Sequence, residues 1–238
     1  MENHCLNCDE KLQFRLNWHG LWHKNSMLLC VECSKQLEPI TGDICFCCGR
    51  PFDVENEQFR DEERCYDCVR WERDSEWQGL LIKNRSLFRY NDFMKELIAR
   101  YKYRGDALLA TLFQNKLVQL YKKEFSQKAS IVPIPLGRER LLERGFNQAE
   151  LLAQMLGKPF PILLAQSQTS KQSKKNRRER LSVDKTTFYL ASGLQEKLVS
   201  ADIIIIDDIY TTGTTVRQAA KLLLQHGART VSSITIAR

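Results

Sequence analysis

Apolar positions follow two regimes along this chain. Up to about residue 72 they form short patches between cysteines; further on they become periodic. Ile203–Ile206 is an unbroken β-branched run, the pattern of a strand buried on both faces of a parallel sheet. Val231–Ile236 reads as a second such strand, with a helix over Val216–His226 between them. Phe93, Met94, Leu97, Ile98 and Tyr101 recur at three- and four-residue steps and predict an amphipathic helix over Phe88–Tyr103, stopped by Gly105. Ala107–Phe125 is again helical in pattern. Ile131-Val-Pro-Ile-Pro-Leu136 reads as a short strand entering a Pro-stiffened turn. A helix is expected from near Gly145 through Glu150–Leu156, and Phe188-Tyr-Leu190 as a strand. Strands alternating with helices give an α/β fold with a parallel sheet.

The run Ile203–Ile206 ends on two acids, Asp207 and Asp208. After two residues comes the hydroxyl-rich loop Thr211-Thr212-Gly213-Thr214-Thr215, and a helix follows at once. Open α/β sheets bind ligands at the carboxyl ends of their strands. A Gly-containing turn at a helix N-terminus offers unpaired N–H groups and a partial positive charge, which suits a phosphate. The carboxylates repel phosphate but accept hydrogen bonds from vicinal hydroxyls. One strand–loop unit can therefore read a ribose, with its diol on one side and its 5-phosphate on the other. Acids that merely end a strand, with Thr residues capping a helix, would not account for two adjacent carboxylates after four buried positions.

Composition adds a second chemistry. All nine cysteines lie between positions 5 and 68, and eight form Cys-x-x-Cys pairs: Cys5/Cys8, Cys30/Cys33, Cys45/Cys48 and Cys65/Cys68. The N-terminus lacks a basic-then-apolar signal pattern and no apolar run approaches the length that spans a bilayer, so a reducing, cytoplasmic setting is expected. There, such pairs favour metal over disulfides. Four thiolates hold zinc tetrahedrally, giving two structural zinc ions. We assign the first two pairs to one ion and the last two to the other; an interleaved cross-brace fits the spacing as well. Cys47 is left as a bystander. Two modules are expected, 1–75 and 76–238. The net charge of +7 is uneven: residues 1–75 carry 9 Lys+Arg and 15 Asp+Glu, and the remainder 27 and 14. Affinity for phosphate backbones comes from Lys and Arg, so the cysteine module reads as a structural or partner-docking unit and the basic half as the part that meets anions. Lys171-Gln-Ser-Lys-Lys-Asn-Arg-Arg-Glu-Arg180 concentrates six basic residues, Lys171, Lys174, Lys175, Arg177, Arg178 and Arg180, against one acid.

The thirteen residues from Ile203 to Thr215 resemble the phosphoribosyl pyrophosphate (PRPP) motif of type I phosphoribosyltransferases. The resemblance implies that Asp207 and Asp208 hold the ribose hydroxyls and that Thr211, Thr212, Gly213, Thr214 and Thr215 wrap the 5-phosphate. It implies a pyrophosphate loop at Pro133, Ile134, Pro135, Leu136 and Gly137, with Ile134–Pro135 a candidate cis peptide. The basic run 171–180 would then be a mobile lid over the diphosphate, or a grip on a nucleic-acid backbone. Taken with the double cysteine module, Lys102-Tyr-Arg-Gly-Asp106, Val132-Pro-Ile-Pro-Leu136, Arg144-Gly-Phe-Asn-Gln-Ala149 and Gln172 with Arg180, nearly the whole chain resembles the ComF/ComFC competence family, GntX-like members included.

That resemblance implies a type I phosphoribosyltransferase fold, parallel-sheet and Rossmann-like, behind a small four-cysteine zinc-ribbon module. It further implies a cytoplasmic role in natural transformation, recruited to the membrane DNA-uptake machinery, with single-stranded DNA and a ComFA-type translocase ATPase as partners and PRPP with magnesium as ligands. Two alternatives share the same site: a catalytic phosphoribosyltransferase acting on an unknown acceptor, and a PRPP-sensing regulator. No residue identifies a catalytic group or an acceptor.

Overall fold

The structure is a computed structural model that describes residues 4–12, 28–54, 57–103, 106–165 and 188–238. In chain order the elements are α1 (Val31–Lys35), β1 (Arg60–Asp61), β2 (Arg64–Cys65), α2 (Tyr66–Arg73), β3 (Asn84–Phe88), α3 (Asp92–Tyr103), α4 (Gln114–Glu124), β4 (Ser130–Pro133), α5 (Arg138–Arg144), α6 (Gln148–Leu156), β5 (Leu163–Ala165), β6 (Phe188–Leu190), β7 (Asp202–Ile209), α7 (Thr214–Gln225) and β8 (Thr230–Ala237). The main sheet has strand order β3-β8-β7-β4 and every pairing is parallel. β1–β2 and β5–β6 are small antiparallel pairs.

The isoleucine run serves both faces of this sheet. Ile203 and Ile205 pack into one buried cluster with Leu198, Val216, Ala220 and Leu223, whereas Ile204 and Ile206 pack into a second with Met94, Leu97, Phe113 and Leu152. Strand alternation dictates that split, because successive side chains leave a strand on opposite sides. The first cluster also contains Cys45, Cys47, Cys48, Cys65 and Cys68, so the second cysteine set belongs to the core of the sheet. Cys5, Leu12, Leu29, Cys30 and Cys33 form a separate satellite cluster. The expected boundary near 75/76 falls in the turns after α2, and packing continues across it.

Three expectations about elements change. The predicted helix start at Phe88 is instead the end of edge strand β3, and α3 begins at Asp92, behind Asn91, whose side chain accepts from Met94 N at 2.9 Å. β3 carries Asn84 and Ser86 inward, which hides its strand periodicity. These polar residues are buried because they meet polar partners. Ser233 Oγ donates to Asn84 Oδ1 (2.9 Å), Ser86 and Thr235 hydroxyls lie 2.7 Å apart, and Asn84 Nδ2 donates to Ser86 Oγ (3.0 Å) and to Cys48 O (3.1 Å). Asn84 N donates to Cys47 O at 2.6 Å. The second cysteine knuckle is thus hydrogen-bonded to the sheet edge. Ala107–Phe125 is not one helix: a 3₁₀ turn over Ala107–Leu112 precedes α4. α5 was not anticipated, since none of its residues is buried and Leu141 and Leu142 are adjacent and exposed, leaving no helical stripe.

Two conformational details support the knuckles. Cys5 N donates to Glu10 O and Asp9 N to Cys5 O; Cys45 N donates to Arg50 O and Gly49 N to Cys45 O. The two loops are equivalent, and their fifth positions share a positive φ, 62° at Asp9 and 71° at Gly49. The second is packed on the sheet edge, where a Cβ on Gly49 would sit 3.0 Å from Asn84 O. Asn84→Ala should lower unfolding free energy by about 2 kcal/mol, the cost of leaving buried partners unsatisfied. Denaturant unfolding of the two proteins checks it, and an effect near zero would mean that the knuckle is not held by this residue.

Candidate phosphoribosyl and zinc sites

Each cysteine set brings four sulfurs within 4.8 Å of one another: Cys5, Cys8, Cys30 and Cys33 in one, Cys45, Cys48, Cys65 and Cys68 in the other. The pairing is sequential, not cross-braced. A zinc–sulfur bond of 2.3 Å in a tetrahedron sets sulfurs about 3.8 Å apart. Cys8 and Cys30 sulfurs are 3.7 Å apart and Cys48 and Cys65 sulfurs 3.4 Å. Main-chain N–H groups point at the sulfurs, Cys33 N to Cys30 Sγ (3.4 Å) and Cys65 N to Cys45 Sγ (3.2 Å), as thiolate ligands require. Both sets fit structural zinc. They differ in setting: Cys8 is exposed, whereas all four ligands of the second set are buried. Cys47 is no ligand in either group, yet its sulfur is buried and 3.6 Å from Arg217 Nη2.

At the carboxyl end of β7 the strand runs three residues further than expected, through the acids to Ile209. Asp208 is almost fully buried, and its Oδ2 lies 2.6 Å from Lys102 Nζ at the end of α3. Asp207 Oδ1 accepts from Asp208 N at 2.8 Å. Burial of its carboxyl, with Asp208 beside it, pushes the Asp207 pKa up to about 8. Near neutral pH the pair therefore carries less than its formal charge. A cation or a diol arriving at the strand tip meets one carboxylate held by Lys102 and one proton that can be displaced.

The loop after these acids has the geometry an anion needs. Gly213 takes φ 82° and leads directly into α7. A Cβ there would lie 2.2 Å from Tyr210 Oη and 2.4 Å from Arg217 Nη1, so the position excludes every side chain. Thr212 and Thr214 hydroxyls are 2.8 Å apart, and Thr211 and Thr212 are exposed. Next to this loop, across the β4–β7 pairing, are Pro133, Ile134, Pro135, Leu136 and Gly137. The two predicted loops thus leave adjacent strand tips. Ile134 N donates to Ile206 O at 2.9 Å, and Asn147 Nδ2 donates to Ile134 O at 3.0 Å. The Ile134–Pro135 bond is trans, contrary to the cis candidate, and follows the ordinary preference of X–Pro bonds.

Several residues at this site carried no assigned role in the sequence. Lys102 stood only within a motif. The segment Arg144–Ala149 is the brace of the loop after β4. Asn147 caps α6 by accepting from Ala149 N, Arg144 Nη1 donates to Gln148 Oε1 (3.1 Å), and Tyr101 Oη donates to Gln148 O (2.9 Å). Arg217 and Trp71 touch the Thr211–Thr215 loop from the cysteine side, with no motif to announce them. Lys171, Lys174, Lys175, Arg177, Arg178 and Arg180 lie outside the described residues; β5 and β6 are the elements flanking that segment.

Comparison with known proteins matches a known domain in each half of the chain. Residues 141–238 match the phosphoribosyl transferase domain and residues 2–69 the double zinc ribbon domain. Competence protein ComFC of Bacillus subtilis (strain 168) is 40% identical over 237 residues, covering 98% of this chain and 94% of that protein. Competence protein ComFC of Streptococcus pneumoniae (strain ATCC BAA-255 / R6) is 33% identical over 236 residues, covering 98% and 99%. DNA utilization protein YhgH of Salmonella typhi is 27% identical over 214 residues, covering 85% and 87%.

The raised Asp207 carboxyl has a stability consequence. Folded protein keeps a proton that unfolded protein releases near pH 4, so this residue lowers stability progressively from about pH 4 to about pH 8. Asp207→Asn removes that loss. In urea unfolding at pH 5, 6.5 and 8, the variant should gain on the wild type as pH rises; parallel curves would show that Asp207 titrates normally.

Proposed function

The chain belongs to the ComFC competence protein family, and from that membership we propose that it acts in DNA uptake during natural transformation, with a phosphoribosyl-binding site as its ligand centre. The observation that carries the site is the junction of β7 and α7: two carboxylates, one paired with Lys102, stand beside a Gly213 turn that opens a twelve-residue helix. In this reading Asp207 and Asp208 accept hydrogen bonds from the ribose hydroxyls. Thr211, Thr212, Gly213, Thr214 and Thr215 receive the 5-phosphate at the helix N-terminus. Pro133–Gly137 faces the diphosphate of PRPP, with magnesium neutralising part of its charge. Lys102 fixes Asp208 in place through its 2.6 Å contact, while Asp207 loses its proton to solvent as the ligand hydroxyls come to donate to it.

The remaining parts follow from charge. Residues 1–75 are acidic and dock a partner, in this family a ComFA-type translocase ATPase. The basic segment containing Lys171, Lys174, Lys175, Arg177, Arg178 and Arg180 grips single-stranded DNA through its phosphates. No helix among the described residues is long and apolar enough to cross a membrane, in keeping with work in the cytoplasm beside the uptake machinery. Transfer of the phosphoribosyl group to an acceptor is the second reading, favoured by the match of residues 141–238 to the phosphoribosyl transferase domain.

Calorimetry with PRPP and magnesium should show saturable binding that is lost in Asp207→Asn/Asp208→Asn with the fold intact. A wild type that binds no phosphoribosyl ligand would refute the site. Pyrophosphate release in the same mixtures separates binding from turnover. For DNA, Lys/Arg→Ala changes within 171–180 should flatten the logarithmic dependence of single-strand affinity on salt by roughly 0.7 per phosphate contact removed. An unchanged slope would take this segment out of the DNA contact.

A further inference from the structure

The 211–215 loop and the second cysteine centre meet at a joint where Arg217 is fully buried and the Trp71–Thr212 contact lies at the surface. Trp71 lies on α2, three residues after the zinc-set Cys68, and its indole N–H donates to Thr212 O at 3.1 Å. Arg217 lies in the first turn of α7. Its main-chain N donates to Gly213 O at 2.9 Å, closing the loop onto the helix. Its side chain has no solvent exposure and turns the other way. Nη1 donates to Tyr210 Oη at 2.6 Å, Nη2 is 3.6 Å from Cys47 Sγ, and the guanidinium lies 4.7 Å from the Trp71 ring centroid. Nε has no hydrogen-bond partner. Gly213 is pressed against this pair so closely that no Cβ fits.

Two properties make the joint directional. The loop carbonyl at Thr212 is anchored by a side chain whose own position is fixed by the Cys65/Cys68 end of the second set. The charge of Arg217, excluded from water, needs negative compensation nearby, and a zinc ion held by four thiolates carries a formal charge of −2. The first set has no such contact among the described residues. Its neighbour in the second module is α3, where Arg100 donates to Asn7 O (2.7 Å) and Leu6 O (2.9 Å).

We propose that the second cysteine set fixes the shape of the 211–215 loop, with Trp71 and Arg217 as the positioning residues that connect them, and so tunes how tightly the loop binds a 5-phosphate sugar. This rests on the phosphoribosyl reading of the loop. Neither residue touches the ligand; both act through the Thr212–Gly213 backbone and Tyr210.

The test uses the full chain with both zincs bound and three variants. Trp71→Phe keeps an aromatic ring near Arg217 and removes the N–H together with part of the indole. Arg217→Lys keeps the charge, and Arg217→Met removes it. Amide hydrogen exchange of peptides covering 210–217 and titration with ribose 5-phosphate are the two readouts. Trp71→Phe should exchange faster in 210–217 alone and bind ribose 5-phosphate about fivefold more weakly, the worth of one neutral hydrogen bond. Arg217→Lys should recover part of what Arg217→Met loses in both readouts. Unchanged exchange and affinity in Trp71→Phe would overturn the proposal, and so would faster exchange spread evenly over β7 and β8, which marks general destabilisation. Should Arg217→Met fail to fold, Trp71→Phe decides alone. If wild type binds neither ribose 5-phosphate nor PRPP, the phosphoribosyl reading fails, and the exchange pattern of Trp71→Phe still decides whether the joint holds the loop.

Discussion

A guanidinium with no exposed surface must have its charge answered inside the protein, and Arg217 imposes that condition on the whole chain. Its partners come from three places: Tyr210 after β7, Cys47 within the second knuckle, and the Trp71 ring on α2. Each helps satisfy a buried charge, and losing a hydrogen bond to a charged group costs about 1.5–3 kcal/mol. The sheet and the second zinc set are therefore one cooperative unit. Around it, the buried polar rungs of Asn84, Ser86, Ser233 and Thr235 do for the ribbon–sheet contact what aliphatic packing does on the opposite face. The first cysteine set forms its own small cluster and meets the opposite face of the sheet through half-buried Leu6, Leu37, Phe93 and Leu112 among the described residues.

The same economy explains the acids. Two neighbouring carboxylates at a strand tip repel, and burial disfavours the charge of each. Lys102 settles one of them, and Asp207 keeps its proton. Gly213 is a second concession of this kind, a left-handed turn crowded against Tyr210 and Arg217 at the N-terminus of α7.

Residues whose chemistry is local were legible in the sequence. The eight cysteines pair by spacing and come together in two sets, and Ile203–Ile206 declares a strand that serves both faces of the sheet; the acids and Thr211–Thr215 follow it in a fixed order. What stayed hidden depends on partners distant in the chain. β3 is invisible to periodicity because Asn84 and Ser86 are satisfied by residues about 150 positions away. Arg217 reads as an ordinary polar position on an amphipathic helix until Tyr210, Cys47 and Trp71 are brought around it. Lys102 sits in a recognisable motif, but its role appears only when the end of α3 reaches Asp208. Arg144–Ala149 was noticed as a pattern, and its work as a brace for the loop after β4 required the position of Ile134 O.

The claim at the centre of this account is that the second zinc centre and the parallel sheet stand or fall together. Denaturant unfolding followed simultaneously by far-ultraviolet circular dichroism and by zinc release to a chromophoric chelator tests it directly. The account predicts that one zinc per chain is released at the same midpoint as the loss of sheet signal, while the other is free to leave earlier. Release of both zincs with the sheet signal intact would contradict it.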